Sequence, residues 1–186
     1  MTMRSSPGTA TWTLGSLTST SEHSLSVRPE EPADYDAIHA LVAAAFGREN
    51  EAKLVRPLRA DANAYIPELT LVAEEGGEIT GHIMLTTATL HGEEDWPVLA
   101  LGPLSVVPER QRTGAGIALT EAALQLADAR GDPLVVLLGH PSYYPRFGFE
   151  PPSGEMTDAA FMVNVLSNYE EGYRGRFEFA PAFGQV

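Results

Sequence analysis

The residues best placed to do chemistry are Gln111-Arg112-Thr113-Gly114-Ala115-Gly116, which join the almost wholly apolar run Val98 to Val107 to a segment, Ile117 to Arg130, that contains no Pro or Gly. At a strand-to-helix junction of this kind the first helical N–H groups lack partners and sit at the positive end of the macrodipole, so an anion is stabilised there. Gly114 and Gly116 let the backbone turn tightly and let a pyrophosphate approach with no side chain in the way. Arg112, and with it Arg110, can add charge-assisted hydrogen bonds from the side. The plain alternative is an ordinary turn whose glycines serve geometry alone. Two rival phosphate motifs fail: Leu119 stands where a dinucleotide fingerprint needs its third small residue, and no Gly-Lys-Ser/Thr occurs anywhere in the chain.

A second segment lies one helix and one strand further on. Leu134-Val135-Val136-Leu137-Leu138 has the pattern of a strand buried on both faces, and it leads through Gly139-His140-Pro141 into Tyr143-Tyr144-Pro145-Arg146-Phe147-Gly148-Phe149. Together the two segments resemble the GNAT N-acetyltransferases, whose acetyl-CoA signature is Q/R-x-x-G-x-G/A and whose C-terminal element is F/Y-Y-x-x-x-G-F. With Leu101-Gly102-Pro103-Leu104 added, the chain looks most like the YhbS-type acetyltransferases, over roughly Leu25 to Phe161. The resemblance implies a mixed, mostly antiparallel sheet flanked by helices, an α/β (α+β) fold in which a splayed strand pair holds acetyl-CoA as co-substrate. It implies that the backbone of Gln111, Arg112, Thr113, Gly114, Ala115 and Gly116 binds the pyrophosphate. Val106 and Val107 would line the pantetheine arm, one of them giving an N–H to the thioester oxygen. Tyr144, four residues before Gly148, takes the position of the family's tyrosine, whose hydroxyl is expected to protonate the departing thiolate. The bland role for Tyr144 is a packed aromatic whose hydroxyl bonds a backbone carbonyl, and for Tyr143 packing is the favoured expectation.

Acetyl transfer to an amine also needs a way to remove the ammonium proton. Some members carry a glutamate on the strand before the cradle, but Ala100 to Val107 holds no acid. His82, His140, Glu51, Glu68 and water stay open as the base. The same gap keeps a second reading alive, a non-catalytic acyl-CoA-binding or regulatory module. No histidine pair has metal-ligand spacing and no G-x-S-x-G elbow occurs, so neither a metal site nor a serine hydrolase is expected.

These residues require elements to hold them. Patterning predicts strand 24–28, helices 33–46 and 49–60, strands 70–74 and 78–90 joined by the Glu75-Gly76-Gly77-Glu78 turn, strand 98–107, helix 117–130 and strand 134–138. A short helix, a strand 149–151, a loop and a last strand near 176–180 should follow. In the first helix Ile38, Leu41, Val42, Ala45 and Phe46 form the apolar stripe; in helix 117–130 it is Leu119, Ala122, Ala123 and Leu126.

Residues 1–24, rich in Ser and Thr, read as a disordered tail, and 25–186 as one domain. No apolar run approaches the roughly 20 residues of a membrane helix. The absence of cysteine rules out disulfides and thiolate chemistry and makes the cytoplasm the expected compartment. A formal net charge of −13, from 12 basic and 25 acidic residues, argues against nucleic acid or anionic membrane as partner and favours a cationic amine. A homodimer is left open. The expected partner is a small-molecule or peptide amine, and which one, from peptide N-termini and lysines to polyamines, aminoglycosides and small metabolites, is not legible in the sequence.

Overall fold

A computed structural model describes residues 24–153 and 160–185. The tail, 1–24, lies outside the described residues but for Ser24. A single seven-stranded sheet is built from β1 (Leu25–Pro29), β2 (Tyr65–Glu75), β3 (Glu78–His91), β4 (Asp95–Val106), β5 (Leu134–Leu138), β6 (Phe161–Val165) and β7 (Arg176–Glu178). The first six follow one another in sequence order, and β7 pairs with β3. All neighbours are antiparallel except β4 and β5, which run parallel and therefore need a crossover helix between them. The fold is thus mixed α/β with a mostly antiparallel sheet between helices, as the sequence implies.

α1 (Tyr35–Phe46) and α2 (Asn50–Ala60) cover one face of the sheet. Ile38, Leu41, Val42, Leu54, Val55 and Leu58 pack there with Val72 and Met84. α3 (Ala115–Arg130), the crossover helix, covers the other face, where Leu119, Ala123 and Ala127 meet Leu71, Ile83, Leu99 and Val135. Leu119 is fully buried, which stabilises the fold by roughly 2–3 kcal/mol.

Four expectations need correction. The inward stripe of α3 is Ala115, Leu119, Ala123 and Ala127, while Leu126 is exposed; a run this rich in small apolar residues has no sharp polar face to fix its rotation. Phe46 likewise leaves the α1 core and faces outward. β2 begins five residues before the expected Thr70, at Tyr65, despite Pro67, because the strand bulges between Tyr65 and Thr70. Finally, 149–151 is no strand. Glu150 makes one isolated bridge to Val163, and Pro151 and Pro152 lack the N–H groups to continue it. The strand beside β5 is instead β6, whose short Phe-Met-Val-Asn-Val run offers little periodicity to read.

Candidate functional site

The loop expected to form the cradle begins where β4 ends. After Val106 a 3-10 turn (Pro108–Arg110) leads into the loop, and Arg112 at φ 66° and Gly114 at φ 107° bend it back into α3. A non-glycine residue in this region costs on the order of 1–3 kcal/mol and is typical of ligand clamps. Gln111 fastens the loop to the strand, its Nε2 donating to the Val106 carbonyl at 3.3 Å. The first bond into the helix is from Ala118 N–H to the Gly114 carbonyl, 2.9 Å, which leaves the N–H groups of Ala115, Gly116 and Ile117 without helical partners. A side chain on Gly114 would meet nothing within 4 Å. The side of the turn on which a Gly114 side chain would stand is therefore open. Arg112 is exposed beside it and has no ion pair among the described residues, whereas Arg110 is 3.4 Å from Glu75.

β4 and β5 pair only at Leu99–Val135 and Ala100–Val136. Beyond Ala100 they part, and β4 has a free edge toward β5. Register decides which groups face that edge. Val107 N–H donates to the Thr80 carbonyl at 2.9 Å, so it points at β3 and is spent. Gly81–Val106 and Ile83–Leu104 are the intervening pairs of the antiparallel ladder, and alternation directs the N–H groups of Val106 and Leu104 away from β3, onto the free edge. Of the two valines expected to line the arm, Val106 keeps its donor. Leu104 joins it, a residue whose role depends on register and so was not read from sequence.

The two tyrosines occupy different places. Tyr143 reaches the first turn of α3: a Cβ on Gly116 would lie 2.9 Å from its hydroxyl, and Thr120 is its hydrogen-bond partner. The second cradle glycine is thus small because a tyrosine packs against it. Tyr144 stands at the end of β5, edge-on to Tyr143 and Phe149, its ring against Gly139, where an added Cβ would come within 2.3 Å of Cε2. Burial, with Tyr143 beside it, pushes its phenol up to about 12. Among the described residues no carbonyl accepts from the Tyr144 hydroxyl.

The four side chains considered as bases are scattered. His140 is exposed, its carbonyl capping the turn that carries the tyrosines by accepting from Tyr143 N–H at 3.0 Å. Glu68 pairs with Arg130 at the far end of α3, 2.8 Å. His82 is enclosed on the α1/α2 face, Nε2 lying 3.3 Å from Glu30. Glu30 in turn holds Arg59 of α2 through two bonds of 2.6 and 2.7 Å and accepts from the Tyr65 hydroxyl at 3.0 Å. Burial holds the His82 imidazole below its ordinary value, so at neutral pH it is uncharged and gives Glu30 an N–H. For Glu30, burial alone would raise the carboxyl; the bonds from His82 and Arg59 outweigh that and hold it low. With His82 neutral, the compensating charge is that of Arg59. This buried group fastens α2 to β1, β2 and β3.

Glu51 alone of the four lines a cleft at the strand mouth. The cleft, about 480 Å³, is bounded by Leu101, Gly102 and Pro103 of β4, Leu138 of β5, the α1–α2 junction, and Phe179 and Phe183 from the segment after β7. A larger recess of about 630 Å³ lies between α1 and α2. It is lined by Tyr35, His39, Lys53, Arg56 and Arg59 and reaches no strand, so it is remote from the parting of β4 and β5.

An acetyltransferase (GNAT) domain model matches residues 26–151. YjhQ of Escherichia coli K12, an uncharacterised N-acetyltransferase, is 39% identical over 134 residues, spanning 72% of this chain and 74% of YjhQ. The structure of a GNAT family acetyltransferase from Brucella melitensis, in complex with acetyl-CoA, is similar at TM-score 0.73 and 32% identity over 87% of this chain and 99% of that one. That of Escherichia coli YhbS, in complex with CoA, gives TM-score 0.77 and 30% identity over 87% and 93%. A loop that presents unpaired N–H groups, a strand pair that parts beside it and these similarities lead to one conclusion: the chain belongs to the GNAT acetyltransferase family.

Proposed function

We propose that the protein transfers an acetyl group from acetyl-CoA to a primary amine by direct attack within a ternary complex. The observation that carries this reading is the parting of β4 from β5 beyond Ala100, which opens on the N–H-lined loop at one end and on the cleft at the other. From Val106 to Gly102 is four residues, about 13 Å of strand, along which an extended pantetheine can lie.

The pyrophosphate sits over Gly114 and takes the N–H groups of Ala115, Gly116 and Ile117, with Arg112 alongside; such fixed donors need no reorganisation to meet the charge. Val106 and Leu104 offer N–H groups to the arm and to the thioester oxygen, where negative charge grows in the transition state. The neutral amine nitrogen adds its lone pair to the carbonyl carbon, the carbon–sulfur bond breaks, and sulfur leaves with the electron pair. Nitrogen sheds one proton and the thiolate gains one, so amide and free thiol result. A phenol at about 12 is a weaker acid than a thiol of about 8.5, so the Tyr144 hydroxyl stabilises the thiolate by donating a hydrogen bond rather than by surrendering its proton outright.

Titration calorimetry with CoA, together with release of free thiol from acetyl-CoA in the presence of amines, tests the reading. Gly114→Val, at a positive φ and facing the open space, should abolish CoA binding while circular dichroism shows the fold intact. Unchanged affinity in the folded variant would remove the cradle. CoA binding without thiol release for any amine would leave a CoA-binding module.

A further inference from the structure

We infer that the acceptor is a monoamine carrying an apolar body of aromatic size, taken into the cleft at the mouth of β4 and β5 with its nitrogen held by Glu51. This rests on the transferase reading above and names its substrate class. The walls are mostly hydrocarbon: Leu54, Leu101, Pro103, Leu138, Phe179 and Phe183, with Phe46 at the α1–α2 junction, where Asn50 is the one uncharged polar side chain of the lining. Phe46 is 41% and Leu138 50% exposed, so two large apolar side chains on facing elements are left to water on the same opening. An apolar ligand body would cover both, which is the ordinary reason for a contiguous apolar patch on a soluble fold. Phe179 and Phe183 pack with ring centroids 4.9 Å apart and planes tilted by 39°, an aromatic wall suited to an aromatic or alkyl group.

The charged groups in the lining are Arg48 and Glu51, which pair with each other. They are not equivalent. The Glu51 side chain is 17% exposed and that of Arg48 63%, so the carboxylate is the inner partner and the guanidinium stands at the rim. Arg48 uses Nε and Nη2, one on each oxygen, and a carboxylate has about four lone-pair sites, so Glu51 retains acceptor capacity for an amine. It attracts the cationic form at entry and stabilises the positive charge that grows on nitrogen as the lone pair adds to the carbonyl. Paired with Arg48, the one carboxylate of the cleft leaves acceptor sites for a single ammonium and no excess negative charge for further cations. Polyamines and aminoglycosides, whose further charges would have to be desolvated against Phe and Leu, are disfavoured.

The test compares 2-phenylethylamine with ethanolamine and spermidine as acceptors, by thiol release from acetyl-CoA and by calorimetry of each amine into the CoA-bound protein. We expect kcat/KM for 2-phenylethylamine to exceed that of the other two by at least about 10-fold, a little under the value of about two buried methylenes. Phe46→Ser and Leu138→Ser, both at exposed positions that do not threaten folding, should each raise KM for the aromatic amine several-fold while the affinity for CoA stays as it was. Glu51→Gln should lower kcat/KM for it by about 10-fold or more. Equal or better use of ethanolamine or spermidine, or indifference of the aromatic amine to Phe46→Ser and Leu138→Ser, overturns the acceptor assignment and leaves the transferase standing. Failure of CoA itself to bind would overturn the transferase reading and this inference with it.

Discussion

Tyr144 and Tyr143 are neighbours in sequence and differ in their settings. The ring of Tyr144 is wedged among Phe147, Phe149 and Gly139 with no acceptor for its hydroxyl among the described residues, whereas Tyr143 is bonded to Thr120 beside the cradle. A phenol raised to about 12 stays protonated across the working range and remains a hydrogen-bond donor. Tyr144→Phe should therefore lower kcat by a factor on the order of 10² with acetyl-CoA affinity unchanged, the scale of one lost donor to a developing anion. Steady-state kinetics with calorimetry checks this, and wild-type turnover would reduce Tyr144 to packing. The motif alone places a tyrosine four residues before a glycine; which of the two hydroxyls is unpaired depends on how the turn seats the rings.

At the level of elements, the site is made by a strand that stops pairing. β5 is only five residues long and β4 twelve, so β4 runs past β5 and carries Leu104 and Val106 into a stretch paired with β3 alone. Gly139, the first residue after β5, lets the chain turn under the Tyr144 ring. Gly139→Ala should push that ring aside, with a stability loss of about 1–3 kcal/mol in a urea titration and a fall in kcat like that of Tyr144→Phe, while CoA still binds. A normal kcat in the alanine variant would show that the ring's seat does not matter. Glycine at this position is visible in the sequence, but its reason is a contact with a ring five residues on, which no local pattern reveals.

The molecule as a whole is held on its α1/α2 side by the Glu30–Arg59–His82–Tyr65 group, which ties α2, and with it Glu51 and Leu54, to the sheet. His82 has a folded pKa depressed by burial, so below its unfolded value of about 6.5 the unfolded chain takes up a proton that the native state does not. Stability should fall with pH from about 6.5 downward, at up to about 1.4 kcal/mol per pH unit. Glu30, also depressed, adds a second loss as pH drops below about 4.3, where the unfolded carboxylate protonates and the native one resists. Urea midpoints between pH 7.5 and 5 should show the first limb in the wild type and not in His82→Gln, whatever the variant's starting stability; an identical slope in both would assign the limb to other histidines. The residue types and spacing by themselves determined the glycine-bearing turn into α3, the tyrosine element, the order of strands and helices as far as β5 and the family they imply, because those depend on turn chemistry and local periodicity. Only the tertiary structure decided that Val107 spends its N–H on Thr80 while Leu104 and Val106 keep theirs, that β6 rather than 149–151 flanks β5, and that Phe46, Glu51, Leu138 and Phe183 share one cleft. Those facts follow from register and from contacts between residues far apart in the chain, which strand pairing fixes and a linear pattern does not contain.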